Sequence, residues 1–361
     1  MVILYTSSLS LLTAMMFEKV KTVPTADELL DKAYSRASRA GRGKIKEITN
    51  REELEESMLL TASNIITDNL RNIGGDWPSL DRMSEFYKEL ANILVGIDDL
   101  KMSLASLDWA ASKVKEISRK YVGTMRKSQD PVLVRKQAYG RISSIVYDID
   151  RDLRLLNNAR NALRNLPDVK DEPTIVVAGY PNVGKSSFVS DTTGARPEIA
   201  QYPFTTKNIT IGHFILKRIR YQVIDTPGLL DRPLDERNDI ERQAISALRH
   251  VGNVTLFIID PSETCGYTLK EQYRLLDEVN EFIKMPVLVV ANKIDIEGEK
   301  EVKADMSMST LNKEGVMEVR NRLVKMIEEQ EPKIAPAPEP EPSDEQPEIP
   351  LPPSRKKKKT K

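Results

Sequence analysis

From about Asp27 to Leu166, apolar residues recur at steps of three and four, with few glycines and little strand-type alternation. This spacing predicts a helical domain, because residues three and four apart share one helix face. The clearest stripe runs Phe86, Leu90, Ile93, Ile97, Leu100, Leu104, Leu107, Ala111 and Val114. Gly96, followed by Asp98 and Asp99, bends or splits that helix, with either aspartate as a cap. A second stretch starts near Pro131, points Ala138, Ile142, Ile145, Ile149, Leu153, Leu156, Leu163 and Leu166 inward, and ends before Pro167. An earlier helix, Glu52 to Ile73, uses Leu54, Met58, Ala62, Ile65 and Asn69 or Leu70, and stops at Gly74-Gly75. Four or more such helices make a bundle over residues 21–166.

The period changes after a short linker, residues 167–173. Strand-like runs at Thr174–Ala178, Ile209–Leu216, Tyr221–Ile224, Asn253–Asp260 and Val287–Ala291 alternate with helical stretches near Asp239–His250, Thr268–Ile283 and Gly315–Glu329. That order predicts a mostly parallel α/β sheet over residues 174–330. Residues 331–361 alternate proline with acids and end in a lysine run, with no apolar face to bury; they are expected to be disordered. The apolar opening within residues 1–20 lacks a basic n-region and is too short and Ser/Thr-rich to span a bilayer. We expect translation to start at Met15 or Met16, and no stable membrane insertion.

The chemistry sits at the strand ends. Gly179-Tyr-Pro-Asn-Val-Gly-Lys-Ser-Ser187 fits G-x-x-x-x-G-K-[ST] and directly follows the first apolar run. Such a loop wraps its N–H groups around phosphates at the start of a helix. Gly179 and Gly184 allow the close approach, Asn182, Val183 and Ser187 lie along the cradle, Lys185 reaches the β/γ oxygens and Ser186 ligates Mg²⁺. Asp225-Thr-Pro-Gly228 ends another apolar run, where Asp225 holds Mg²⁺ through water and the Gly228 N–H faces a γ-phosphate. Between them, Tyr202-Pro-Phe-Thr-Thr-Lys207 is a switch segment that brings Thr206, in preference to Thr205, to the metal.

Asn292-Lys293-Ile-Asp295 follows the Val287–Ala291 run. Its Asp295 can accept from guanine N1–H and N2–H₂, a pair adenine lacks, so discrimination of about 10⁴ is expected. Ser309 and Thr310 stand where main-chain N–H groups can face the base O6. These motifs, in this order, imply GTP as substrate and Mg²⁺ as cofactor.

Composition adds little. Lys+Arg and Asp+Glu both count 54, so net charge names no partner. The lone Cys265 excludes an internal disulfide and fits a reducing, cytoplasmic compartment. His213 and His250 are too few for a metal cluster and are read as a strand residue and a helix-end residue. Local charge is more informative: acids are sparser between Lys113 and Arg141 than along the chain, so Arg119, Lys120, Arg135, Lys136 and Arg141 are candidate RNA-backbone contacts.

The chain resembles the nucleolar GTP-binding (Nog) family, the Obg-like branch of P-loop GTPases. The similarity lies in Gly179–Ser187, Tyr202–Lys207, Val223-Ile-Asp-Thr-Pro-Gly-Leu-Leu-Asp231 and Cys265–Gln272, and extends to Phe86–Leu90, Tyr121-Val122 and Arg135–Arg141 of the bundle. It implies an α/β P-loop GTPase domain preceded by an all-α bundle. It further implies a role in assembly of the large ribosomal subunit, with the bundle on ribosomal RNA, in a short, archaeal-type member. Asn182 matches the asparagine by which some GTPases of this resemblance hold K⁺ near the β/γ bridge. Leu229 occupies the position where many GTPases carry a water-orienting glutamine, so intrinsic hydrolysis should be slow. The competing reading is a GTP switch whose bundle binds a protein or a membrane surface.

Overall fold

The computed structural model describes residues 15–44, 50–193, 197–203, 208–233, 237–296 and 302–330. After a helical turn at Met15–Glu18, the N-terminal half consists of helices α1 (Ala26–Lys44), α2 (Arg51–Asp76), α3 (Glu85–Val95), α4 (Ile97–Met125), α5 (Pro131–Asp148) and α6 (Asp150–Leu163). Helix α2 packs against α1, α4 and α5, and α4 against α2, α3, α5 and α6, so these two helices form the middle of the bundle. Its buried face is Glu55, Leu59, Ala62, Ile66 and Leu70, one residue round from the predicted stripe. The shift has a chemical reason: Glu55 is buried against the Arg135 guanidinium, which also lies over the Tyr139 ring at 5.0 Å. Helix α2 also runs through Gly74-Gly75 to Asp76. Each glycine costs about 1 kcal/mol there, and the packing of Ile73 and buried Trp77 on either side offsets it.

The Phe86–Val114 stripe is split at Gly96, one of its two expected outcomes, and the stretch from Pro131, expected as one helix, is divided as well. Gly96 takes φ +76°, ends α3 and starts α4, and its successor's N–H is capped by the Asn92 side chain at 3.2 Å. Asp98 and Asp99 therefore sit in the first turn of α4, favourable to its dipole, and neither is the cap. The stretch from Pro131 breaks at Ile149 (φ −100°, ψ 8°). That break turns Asp150 towards α1, where it accepts from the Ala26 N–H at 2.8 Å and from Arg154 at 2.6 Å. These bonds, first the backbone one, hold the Asp150 carboxyl below the usual range.

The second half is a seven-stranded sheet, ordered β2-β3-β4-β1-β5-β6-β7. Its strands are β1 (Thr174–Ala178), β2 (Glu198–Gln201), β3 (Asn208–Leu216), β4 (Ile219–Asp225), β5 (Val254–Ile259), β6 (Val287–Ala291) and β7 (Met306–Ser307). All pairings are parallel except β2 with β3 and β3 with β4. Strand β1 is buried throughout, as a central parallel strand must be. The four-residue edge strand β2 was not foreseen; its apolar content is limited and Ile199 is 68% exposed. Helices α7 (Lys185–Thr192), α8 (Asp239–Ala247), α9 (Leu269–Ile283) and α10 (Val316–Gln330) complete this half. Reciprocal caps start α8 (Asn238 with Glu241) and α9 (Thr268 with Glu271).

The two halves meet along a seam. Helix α3 packs on α8 and the following turn, Leu248–His250. Buried Tyr87 donates to the Pro167 carbonyl at 2.8 Å and accepts from the Val169 N–H at 2.9 Å, tying α3 to the linker. Glu89 faces His250 at 2.9 Å and Arg249 at 4.0 Å. Tyr202 lies 6.5 Å, centroid to centroid, from Phe86 and donates to the Ala244 carbonyl of α8 at 2.6 Å. Replacing Tyr87 by Phe leaves the buried Val169 N–H and Pro167 C=O with only their mutual bond at 3.0 Å. We expect a loss of about 1–3 kcal/mol in urea unfolding; unchanged stability would mean that Tyr87 packs and does not bond.

Candidate functional site

The phosphate loop is built from positions that only certain residues can occupy. Gly179 has φ +133°, and a Cβ there would lie 2.6 Å from the Ile258 carbonyl of β5. Gly184, at φ +106°, caps α7, and a Cβ would come within 2.1 Å of the Asn292 amide. Asn182 takes φ 62°, a conformation asparagine tolerates better than most. The Lys185 ammonium donates to the Gly179 and Tyr180 carbonyls, both at 2.8 Å, and is 7% exposed. Val183 is buried beneath the loop, while Ser186 and Ser187 are exposed in the first turn of α7.

Asp225, at the end of β4, accepts from the Ser186 hydroxyl at 2.6 Å. Its other oxygen, Oδ1, is buried without a hydrogen-bond partner. Burial pushes this carboxyl above the usual carboxylate range, and the Ser186 bond and nearby Lys185 only partly oppose it. A hydroxyl and an unpaired buried carboxylate oxygen form a hard oxygen donor pair that fits Mg²⁺. Thr205 and Thr206 lie outside the described residues. Among the described residues no cluster of three His, Cys, Asp or Glu forms a separate metal site.

On the opposite side, the Asn292 carboxamide links three loops. It donates to the Val183 carbonyl at 2.8 Å and Thr310 Oγ1 at 3.0 Å, and accepts from the Thr310 N–H at 3.0 Å. Exposed Asp295 accepts from the Ser309 hydroxyl, whose oxygen also receives the Asn312 N–H at 3.1 Å. Lys293, at φ 67°, reaches Asp260 at 2.7 Å and Thr264 at 2.8 Å. The structure thus brings Gly179–Ser187, Asp225, Gly228, Asn292–Asp295 and Ser309-Thr310 to the carboxyl ends of the parallel strands, where open α/β sheets bind ligands. The candidate basic residues are remote, in the bundle: Arg119, Lys120, Lys136 and Arg141 are exposed, whereas Arg135 is engaged with Glu55.

Several residues beyond the motifs support the site. Asp260, fully buried at the end of β5, gathers Lys293, Ser262, Thr264 and the Cys265 N–H. Burial raises its carboxyl, yet Lys293 and these donors together hold it below the usual range. Gln272 of α9 fixes the Asp260 backbone from both sides, at 2.8 and 3.1 Å. Tyr267 stacks on Tyr180 of the phosphate loop at 4.0 Å. A charged residue closing an apolar strand was the available signal for Asp260; nothing in spacing marks the Tyr180–Tyr267 stack. Leu229 is fully buried.

The raised Asp225 carboxyl has a stability consequence. It keeps its proton above the pH, about 4, at which the unfolded chain releases one. Its stabilising contribution is therefore full below that value and lost as pH rises through the folded pKa. Without metal or nucleotide, Asp225→Asn should raise the thermal midpoint at pH 7 and narrow its pH dependence, while abolishing any Mg²⁺-dependent gain. A lower midpoint with an unchanged pH profile would contradict this account.

Comparison with known proteins follows the same division of the chain. The NOG1 N-terminal helical domain matches residues 17–170, and nucleolar GTP-binding protein 1 (NOG1) matches residues 239–295. An uncharacterized protein of Methanocaldococcus jannaschii is 42% identical over 294 residues, covering 80% of this chain and 83% of its own. Nucleolar GTP-binding protein 1 of Drosophila melanogaster is 35% identical over 331 residues, covering 84% of this chain and 50% of its own. A Plasmodium falciparum crystal structure under the nucleolar GTP-binding protein 1 name shares 37% identity, covers 46% of this chain and 91% of its own, and has a TM-score of 0.41. The chain spans about half the length of the nucleolar relatives it matches. By its domains and its relatives, this chain belongs to the nucleolar GTP-binding protein 1 family.

Proposed function

We propose that this chain is a cytoplasmic GTP-binding protein and slow GTPase, acting as a nucleotide-dependent switch in assembly of the large ribosomal subunit. The observation that carries the nucleotide reading is the Asn292 carboxamide, which bonds the phosphate loop and the Ser309-Thr310 loop together. One molecule bearing phosphates and a guanine spans such loops. Lys185 and the loop N–H groups would hold the phosphates, with Ser186, Asp225 and Thr206 around Mg²⁺. Mg²⁺, when bound, neutralises charge on the β/γ oxygens. Asn292, Lys293, Asp295, Ser309 and Thr310 would bind the base. Hydrolysis is slow in this reading because Leu229 supplies no group to orient water. K⁺ held through Asn182 is a further part of the proposal; equal turnover in K⁺ and Na⁺, with and without RNA, would remove it.

The seam supports a switch. Tyr202 precedes the segment holding Thr205 and Thr206, and α8 follows the segment holding Gly228; both pack on α3 of the bundle. A nucleotide that moves either segment acts on the bundle, whose exposed Arg119, Lys120, Lys136 and Arg141 suit ribosomal RNA phosphates. A second reading has one observation in its favour: Met102 and Trp109, seven residues apart on α4, are 70% and 45% exposed, an apolar face that suits a protein partner. Among the described residues no helix is long and apolar enough to cross a membrane.

Asp295→Asn loses the acceptor for guanine N1–H and N2–H₂ and gains a donor for the C2 carbonyl of xanthine. GTP affinity should fall by about 10³-fold or more, with xanthosine triphosphate preferred in titration calorimetry; retained guanine preference would remove the base assignment. Tagged protein should sediment with large-subunit particles in sucrose gradients, to an extent that differs between GDP and a non-hydrolysable GTP analogue. Free sedimentation in both states would favour the protein-partner reading. The charge reversals Lys136→Glu and Arg141→Glu should weaken RNA binding and flatten its salt dependence.

A further inference from the structure

The Gly228 N–H, the group assigned above to the γ-phosphate, already carries an anion. Asp231 Oδ2 accepts from it at 2.7 Å, and Asp231 is 5% exposed. The other carboxylate oxygen lies 3.8 Å from the Arg237 guanidinium, whose side chain is fully buried. Arg237 in turn donates to the Gly228 carbonyl at 2.8 Å and to the Arg232 carbonyl at 3.5 Å. The Gly228 residue is therefore held on both sides, its N–H by a carboxylate and its carbonyl by a cation. Gly228 itself has φ +80°, and the turn is closed by the Leu229 and Leu230 N–H groups on the Thr226 carbonyl at 3.0 and 3.3 Å.

Resting on the nucleotide reading, we propose that Asp231 is an internal competitor of the γ-phosphate and determines the preference between GDP and GTP. One N–H cannot make a good hydrogen bond to two anions, and two anions at one donor repel. GDP leaves the Asp231–Gly228 bond intact. GTP must displace it, so its affinity is reduced by the population of the displaced state. A bond between an N–H and a carboxylate is about twice as strong as a neutral one, which makes the discount appreciable. Displacement also frees Asp231 from the turn that leads to α8 and the α3 seam, so the cost is levied where the switch would be read.

A purely structural Asp231 would cap the turn equally in both nucleotide states. The two roles separate in the ratio of affinities, measured by fluorescent-nucleotide titration with Mg²⁺ on the full chain. Asp231→Ala should tighten a non-hydrolysable GTP analogue by about tenfold and leave GDP within about twofold. Asp231→Asn keeps the size and an acceptor oxygen but loses the charge; it should shift the ratio the same way by a smaller factor, and serves if the alanine variant does not fold. Equal changes for both nucleotides, or a weaker GTP analogue in either variant, would overturn the proposal while leaving the site intact. Wild-type protein that binds neither nucleotide would remove the site reading, and this proposal with it.

Discussion

The Asn292 side chain is the contact on which the site's geometry most depends. One carboxamide joins Val183 of the phosphate loop to Thr310 beyond β7, using donor and acceptor together. It passes so near Gly184 that any side chain there would collide with it. The strand order makes this reach possible: β1 and β6 flank β5, and their carboxyl ends open on the same edge. A buried amide with its bonding capacity used by two other loops fixes their separation, since breaking either bond strands a polar group. The distance between a phosphate seat and a base seat is thereby set before any ligand arrives.

A second constraint runs the other way, from the sheet to the bundle. Tyr202 is completely buried, with its hydroxyl on α8 and its ring near Phe86 of α3. Burial drives that hydroxyl's pKa well upward, so it stays a neutral donor at any ordinary pH. Tyr87 on the adjacent position anchors α3 to the linker, while the same helix packs on Tyr202 and α8 on one side and on α4 and α6 of the bundle on the other. Helix α3 therefore lies against residues that flank both the Thr205–Thr206 segment and the Gly228 segment. Gly96 ends it and starts the long α4 directly.

How much was legible in the sequence follows from how local each cause is. The phosphate loop is marked by glycines whose positive φ and close contacts are intrinsic to the motif, and Asn292 by its place after a strand. Helix existence was legible from periodicity, but helix ends were set by distant partners: α6 starts where Asp150 can cap α1, and α2 ignores two glycines because Ile73 and Trp77 are packed. The buried face of α2 was misplaced by one residue because a charged Glu55 belongs inside, paired with an arginine from α5. The same kind of cause hid Asp231 and Arg237, whose partners are backbone groups across a turn and carry no periodic signature.

In the proposed switch, nucleotide state passes between the two halves through α3. Hydrogen–deuterium exchange of the full chain with Mg²⁺–GDP and with a non-hydrolysable GTP analogue reads that transmission residue by residue. Amides of residues 85–95 and 239–250 should change their protection between the two states, together with those following Asp225. Changes confined to the phosphate loop and residues 225–231, with α3 and α8 unaltered, would contradict it.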